Sequence, residues 1–104
     1  MSILSALVKT KPKPPPPVVS DRARCFFVQD GAVLCSLSDL DAALPGMKDD
    51  AFRHHVTGEK NDFAAWVRDV LGERPLAHEL RSGSRDKHVM HQVVSDYLRR
   101  HYRA

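Results

Sequence analysis

The chain predicts a mainly α-helical fold: a small helical domain of four to five helices with one N-terminal β-hairpin. Three observations lead there. Asp30-Gly31 stands between the short β-prone runs Cys25-Phe26-Phe27-Val28 and Ala32-Val33-Leu34-Cys35, and Asp-Gly suits a tight hairpin turn. Phe63, Trp66, Val67, Val70 and Leu71 recur at i, i+3, i+4, i+7 and i+8, the spacing of one helical face. Finally, Pro45-Gly46, Gly58, Gly72, Pro75 and Gly83 break the remainder into pieces of helical length.

Residues 1–20 read as a disordered, basic, proline-rich arm ahead of a single helical domain spanning 21–104. Five of the chain's 7 prolines fall at positions 12 and 14–17. Consecutive prolines favour an extended polyproline rod that buries no face. The hairpin allows two registers. A two-residue loop at Asp30-Gly31 sets Phe26 opposite Cys35, whereas a three-residue loop at 29–31 sets Cys25 opposite Cys35, and only the second permits a bridge. A two-stranded hairpin is not stable alone and must pack on helices.

The first helix is expected over residues 36–44. Ser36 and Asp39 have capping-box spacing, and Leu37, Leu40 and Leu44 form its stripe. The second starts at Asp49 as N-cap, presents Phe52, His55 and Val56, and stops at Gly58. Asn61 caps the third, Asp62 suits its positive end, and Gly72 ends it. A short fourth segment opens at Pro75, with Leu76, Ala77 and Leu80 facing inward. The last helix covers residues 85–102 with Val89, Met90, Val93, Val94, Tyr97, Leu98 and His101 on one face. Phe52, Phe63, Trp66, Val67 and Val70 are the expected core.

With 104 residues the chain holds one domain, and a core this small leaves a net stability of roughly 3–5 kcal/mol. Little room remains for a deep, water-excluded active site. The net charge of +3 is unevenly spread: residues 21–84 carry 8 basic and 11 acidic groups, while both ends are basic. A basic end suits an acidic partner or a phosphate backbone. Two cysteines are too few for a disulfide scaffold. Ile3, Leu4, Leu7 and Val8 belong to an apolar run shorter than a signal core, and nothing approaches a membrane span. These features predict a cytoplasmic protein.

Candidate chemistry is sparse. His54 and His55 are adjacent, so they point about 100° apart on a helix. His88 and His91 have chelating spacing, but there is no CxxC and no HExxH, so neither metal nor cofactor is expected. An acid–base pair drawn from His54 or His55 with Asp62, Glu59 or Asp49 would need a cleft that spacing alone does not provide. The binding residues expected are His54, His55, Lys60, Arg99, Arg100 and Arg103, the arginines forming a basic face at the end of the last helix. There are only seven aromatics, and at least Phe52, Phe63 and Trp66 look like core, so a base-stacking surface is not supported.

Asp30-Gly31, Ser36-Leu37 with Leu40, Phe52, His55-Val56, Lys60-Asn61-Asp62-Phe63, Trp66-Val67, Asp69-Val70 and Leu76-Ala77 together resemble a small archaeal and bacterial domain family of unknown function. Its signature is His-Val followed by Lys-Asn-Asp-Phe-x-x-Trp, and the likeness covers residues 26–80. The resemblance implies a compact helical module and brings no activity, cofactor or catalytic residue with it. The expectation is therefore a non-enzymatic interaction or adaptor module whose arm and last helix contact a protein with an acidic surface. One alternative is nucleic-acid binding through Arg99, Arg100, Arg103 and the arm lysines. A second is a metal-dependent or acid–base enzyme using His54, His55, Asp62 and His88.

Overall fold

The computed structural model of the chain describes residues 13–83 and 85–102. Residues 1–12 of the arm, with Lys9 and Lys11, lie outside the described residues, as does Arg103. A short 3-10 turn, Arg22–Arg24, leads into strands β1 (Phe26–Phe27) and β2 (Val33–Leu34). Five α-helices follow among the described residues: α1 (Leu37–Ala43), α2 (Asp49–His55), α3 (Asp62–Asp69), α4 (Arg74–Ser82) and α5 (Lys87–His101). The mainly helical architecture and its single hairpin are those the sequence predicts.

The hairpin adopts the three-residue register. Phe26 pairs with Leu34 and Phe27 with Val33, and the Val28 amide closes the loop on the Ala32 carbonyl at 2.8 Å. Gly31 sits at φ +100°, a conformation that a side chain disfavours. This register sets Cys25 opposite Cys35, and the two form a disulfide with Cα atoms 4.5 Å apart, the close spacing of a non-hydrogen-bonded antiparallel pair. Val18 and Val19, at the end of the arm, join the same layer. Val18 bridges to Ser36, and the Val19 amide donates to the Cys35 carbonyl at 2.7 Å.

The helix ends follow local chemistry. Ser36 accepts from the Asp39 amide at 3.0 Å, and Asp39 in return takes the Cys35 amide at 2.8 Å, a reciprocal cap of the box type. Asn61 accepts from the Ala64 amide at 3.0 Å. Some helix ends differ from expectation: α2 stops at His55, where Val56 turns extended, and not at Gly58. Lys48, not Asp49, is the N-cap of α2 and caps nothing with its side chain, while Asp49 enters the first turn and meets Lys87 Nζ at 3.4 Å. An acid there still complements the helix dipole. Asp86 caps α5, accepting the amides of His88 and Val89, so this helix starts two residues later than predicted.

The core runs from the inner face of the hairpin through all five helices. Phe52, Phe63, Trp66 and Val67 are buried, and Val70 packs partly buried against them. Phe26 stacks on Phe63 with centroids 4.7 Å apart and meets Trp66 edge-on at 5.9 Å. Trp66 Nε1 donates to the Arg24 carbonyl at 2.9 Å, so its polar edge is satisfied where the chain enters the hairpin. α3 packs most extensively on α4, while α5 closes over α1 and the following 3-10 turn, Leu44–Gly46. On α5, Met90, Val94, Tyr97 and Leu98 are buried; Val89 is exposed, and His101 is exposed against Tyr97. The predicted face was thus too broad at its two ends.

Candidate functional site

The turn joining α2 to α3 gathers the residues that look most chemical in the sequence. Val56 and Asn61 form an antiparallel bridge. Within it, Thr57 Oγ1 accepts the amides of Glu59 and Lys60, both at 3.2 Å. The backbone of the turn is therefore braced from inside.

His55 closes the end of α2 and is 7% exposed. Its Nε2 accepts the Gln29 amide at 3.0 Å, so Nδ1 carries the ring proton and donates to Asp62 Oδ2 at 3.0 Å. Phe26 and Phe63 flank the ring at 4.9 and 5.4 Å. The imidazole thus ties the hairpin loop to α3 and has no free nitrogen. A general base needs an open lone pair beside a substrate proton, and this one is already occupied by a backbone amide. Lys60 Nζ meets the same Asp62 oxygen at 3.1 Å. Partial burial pushes the Asp62 carboxyl up, but the hydrogen bonds from His55 and Lys60 and the charge of Lys60 outweigh it, so the group lies below the ordinary carboxylate range.

The other histidines do not converge. His54 is exposed, with its ring nearly perpendicular to that of His55. His91 turns to Asp41 at 3.2 Å and to Ser95 Oγ at 3.3 Å, and Ser95 also hydrogen-bonds Asp41, an arrangement that fastens α5 to α1. His88 stays exposed beside it. Among the described residues no three His, Cys, Asp or Glu groups are arranged to hold a metal ion.

The two described arginines at the end of α5 have carboxylates of the same chain within 4.0 Å. Arg99 pairs with Asp96 one turn earlier, and Arg100 meets Glu79 of α4 at 3.8 Å. Nearby, Glu73 accepts hydrogen bonds from Tyr97, at 2.7 Å, and from Tyr102. Burial and the Glu73 carboxylate push the Tyr102 phenol up to about 12 and shift Tyr97 in the same direction.

Arginines without a carboxylate within 4.0 Å among the described residues lie elsewhere. Arg74, His78 and Arg81 stand at i, i+4 and i+7 on the exposed side of α4, opposite buried Leu76, Ala77 and Leu80. With Arg68 they border a shallow depression of about 120 Å³. Arg68 is paired with Asp69 at 2.7 Å. That hydrogen bond chiefly holds the Asp69 carboxyl below its ordinary range, with weaker pulls from Arg81 and Arg74. Arg74 and Arg81 make no ion pair within 4.0 Å among the described residues, and neither does Arg85.

Arg81 also borders a larger open groove of about 580 Å³, lined by the turn from Val56 to Asp62, by Ala65 and Leu80, and by Gly83 and Arg85. Lys60 reaches this groove; His54, His55, Arg99 and Arg100 do not line it. Of the described residues expected to bind, only Lys60 lines this groove. Arg74, His78 and Arg81 went unremarked in the sequence, although their i, i+4, i+7 spacing opposite an apolar stripe was a readable signal.

Compared with known proteins, the chain matches no family model, no curated protein and no solved structure. No helix of the described residues is long and apolar enough to cross a membrane.

Proposed function

We propose that the domain is a non-enzymatic interaction module that holds an acidic segment of another protein against the arginine face of α4. The observation that carries this reading is the contrast in charge compensation. Arg99 and Arg100 have carboxylates of their own chain within 4.0 Å, whereas Arg74 and Arg81 have none that close among the described residues and feel Asp69 only at longer range. A residue already paired gains little from a new anion, while an unpaired exposed guanidinium gains a charge-assisted, bidentate contact. The contact surface expected at the end of the last helix therefore moves to α4.

Three further features support a non-catalytic, protein-directed reading. Both nitrogens of His55 are engaged. Carboxylates lie interspersed among the arginines, at Asp69, Glu79 and Glu59, which suits a peptide of mixed character better than a dense phosphate backbone. Phe52, Phe63 and Trp66 are buried, which leaves them unable to stack on bases. The resemblance carried by His55-Val56 and Lys60-Asn61-Asp62-Phe63 adds a compact module and no activity.

The test is a titration of the full chain with two fluorescent probes, an oligo-aspartate peptide and a DNA duplex, across salt concentrations. The peptide is expected to bind, to lose affinity about tenfold or more in Arg74→Glu/Arg81→Glu, and to bind Arg99→Glu/Arg100→Glu nearly as before. Tighter binding of the duplex, with affinity falling steeply in salt, would favour the nucleic-acid alternative. Location belongs to the same proposal. The cytoplasmic expectation and the Cys25–Cys35 bridge pull against each other, since cytosolic thiols are held reduced. Thiol labelling of protein taken directly from its native compartment decides between them.

A further inference from the structure

The groove beside the turn at residues 57–60 has features that the α4 face alone does not explain. Its three cations come from three separate stretches of chain: Lys60 from the turn, Arg81 from α4, and Arg85 from the connection into α5. Lys60 is balanced by Asp62 at 3.1 Å. That leaves two guanidiniums without a close carboxylate among the described residues and one opposing charge, Glu59, in the lining.

Gly58 lets Arg85 lie against the turn, because a Cβ built there would sit 2.9 Å from Arg85 Nη1. The turn beneath is rigidly braced by Thr57. The apolar part of the lining is limited to Val56, Ala65, Leu80 and the stems of the longer residues, so no aromatic platform is offered to a base or a ring.

We propose that this groove is a binding site for a phosphate monoester dianion. Two guanidinium forks match the two negative charges and the oxygen edges of a tetrahedral phosphate group. A space of about 580 Å³ exceeds what a bare phosphate fills and leaves room for the group that carries it. The carrier is either a phosphorylated side chain of a protein segment or a small phosphorylated metabolite. The site deepens the acidic-partner reading, since Arg81 belongs to both surfaces, but it can stand or fall without it.

The experiment follows amide resonances of the isotopically labelled full chain. The probes are sodium phosphate, sodium chloride at equal ionic strength, an acidic peptide containing serine, and the same peptide containing phosphoserine. Saturable shifts at Gly58, Lys60, Gly83 and Arg85 are expected with phosphate and not with chloride. Phosphoserine is expected to tighten the peptide about fivefold or more. Arg85→Gln should abolish that preference, Gly58→Ala should weaken it by displacing the guanidinium, and Glu59→Gln should strengthen it.

Tighter binding of the phosphopeptide than of phosphate supports the site and names a protein segment as the carrier. Equal affinity of the two supports the site and names a small phosphorylated molecule. If both peptides bind alike and Arg85→Gln changes nothing, the groove proposal is overturned while the acidic-partner reading survives. If phosphate saturates these amides while the serine peptide fails to bind, the groove stands and the acidic-partner reading falls. Shifts no larger with phosphate than with chloride overturn the site.

Discussion

The corner around His55 and the outer face of α4 carry similar kinds of residue and use them in opposite ways. At the corner, His55 spends one nitrogen on the Gln29 amide and the other on Asp62, and aromatic rings cover its faces. On α4, Arg74 and Arg81 are exposed and have no ion-pair partner within 4.0 Å among the described residues. Polar groups at the first place are consumed in holding the fold. Those at the second are available to something else. Residue type alone would have ranked the two regions the other way round, because paired histidines beside a Lys-Asn-Asp cluster look more like chemistry than three spaced basic residues do.

The contrast can be broken most forcefully at Trp66. Trp66→Ala removes a buried ring and its bond to the Arg24 carbonyl, and is expected to destabilise the domain by roughly 3–5 kcal/mol. That approaches the whole stability of so small a core. Circular dichroism during urea denaturation reads it out, and an unchanged midpoint would remove Trp66 from the core. His55→Ala comes next. It strands the Gln29 amide and leaves a gap between Phe26 and Phe63, for a loss of about 2–4 kcal/mol. By contrast, Arg74→Gln and Arg81→Gln should stay within about 0.5 kcal/mol of the parent. If His55→Ala proved as mild as these, the corner would not be the structural joint described above.

Reducing the Cys25–Cys35 bond, whose sequence separation is 10, should cost roughly 2–3 kcal/mol by release of the closed loop in the unfolded chain. Comparing the midpoint with and without a thiol reductant measures it. The cost belongs to the hairpin, so the affinity of the α4 face for an acidic probe should be unaffected wherever the domain remains folded.

A smaller loss is expected at Glu73, which sharpens the comparison from a third position, where a carboxylate serves two phenols. Tyrosine ordinarily ionises near 10.0, and Tyr102 is pushed up to about 12. A phenol that holds its proton longer when folded stabilises the fold fully below the unfolded value. That stabilisation fades as pH rises through 10 toward 12. Tyr97 and Tyr102 are the chain's 2 tyrosines, so phenolate absorbance reports on them alone. Glu73→Gln should bring both titrations down toward the ordinary value and cost about 0.5–1.5 kcal/mol below pH 10. Titration already at the ordinary value in the parent chain would contradict the shared carboxylate.

Much of the framework was legible because its signals are local. The stripe from Phe63 to Leu71, the caps at Ser36 and Asn61, and the Asp30-Gly31 turn each depend on neighbours within a few residues. The misjudged details have physical causes too. Asp49 had the chemistry of an N-cap, but the chain enters α2 one residue earlier. His101 matched the periodicity of its helix, yet it lies exposed beside Tyr97. The hairpin register could not be chosen from its loop, since two- and three-residue turns both fit the residues present; packing Phe26 against Phe63 and Trp66 accompanies the register that joins the cysteines.

By itself, then, the sequence determined the helical class, the place of the hairpin, most helix ends and the buried stripe, because these follow from backbone propensity and apolar spacing along one stretch of chain. Only the tertiary structure decided which polar residues were spent. Gln29 reaches His55 across 26 residues, and Asp41 and His91 meet across the α1–α5 interface. Lys60, Arg81 and Arg85 meet around one groove. Charge compensation depends on distance through space, and until the chain is folded no residue reveals which partner will stand beside it.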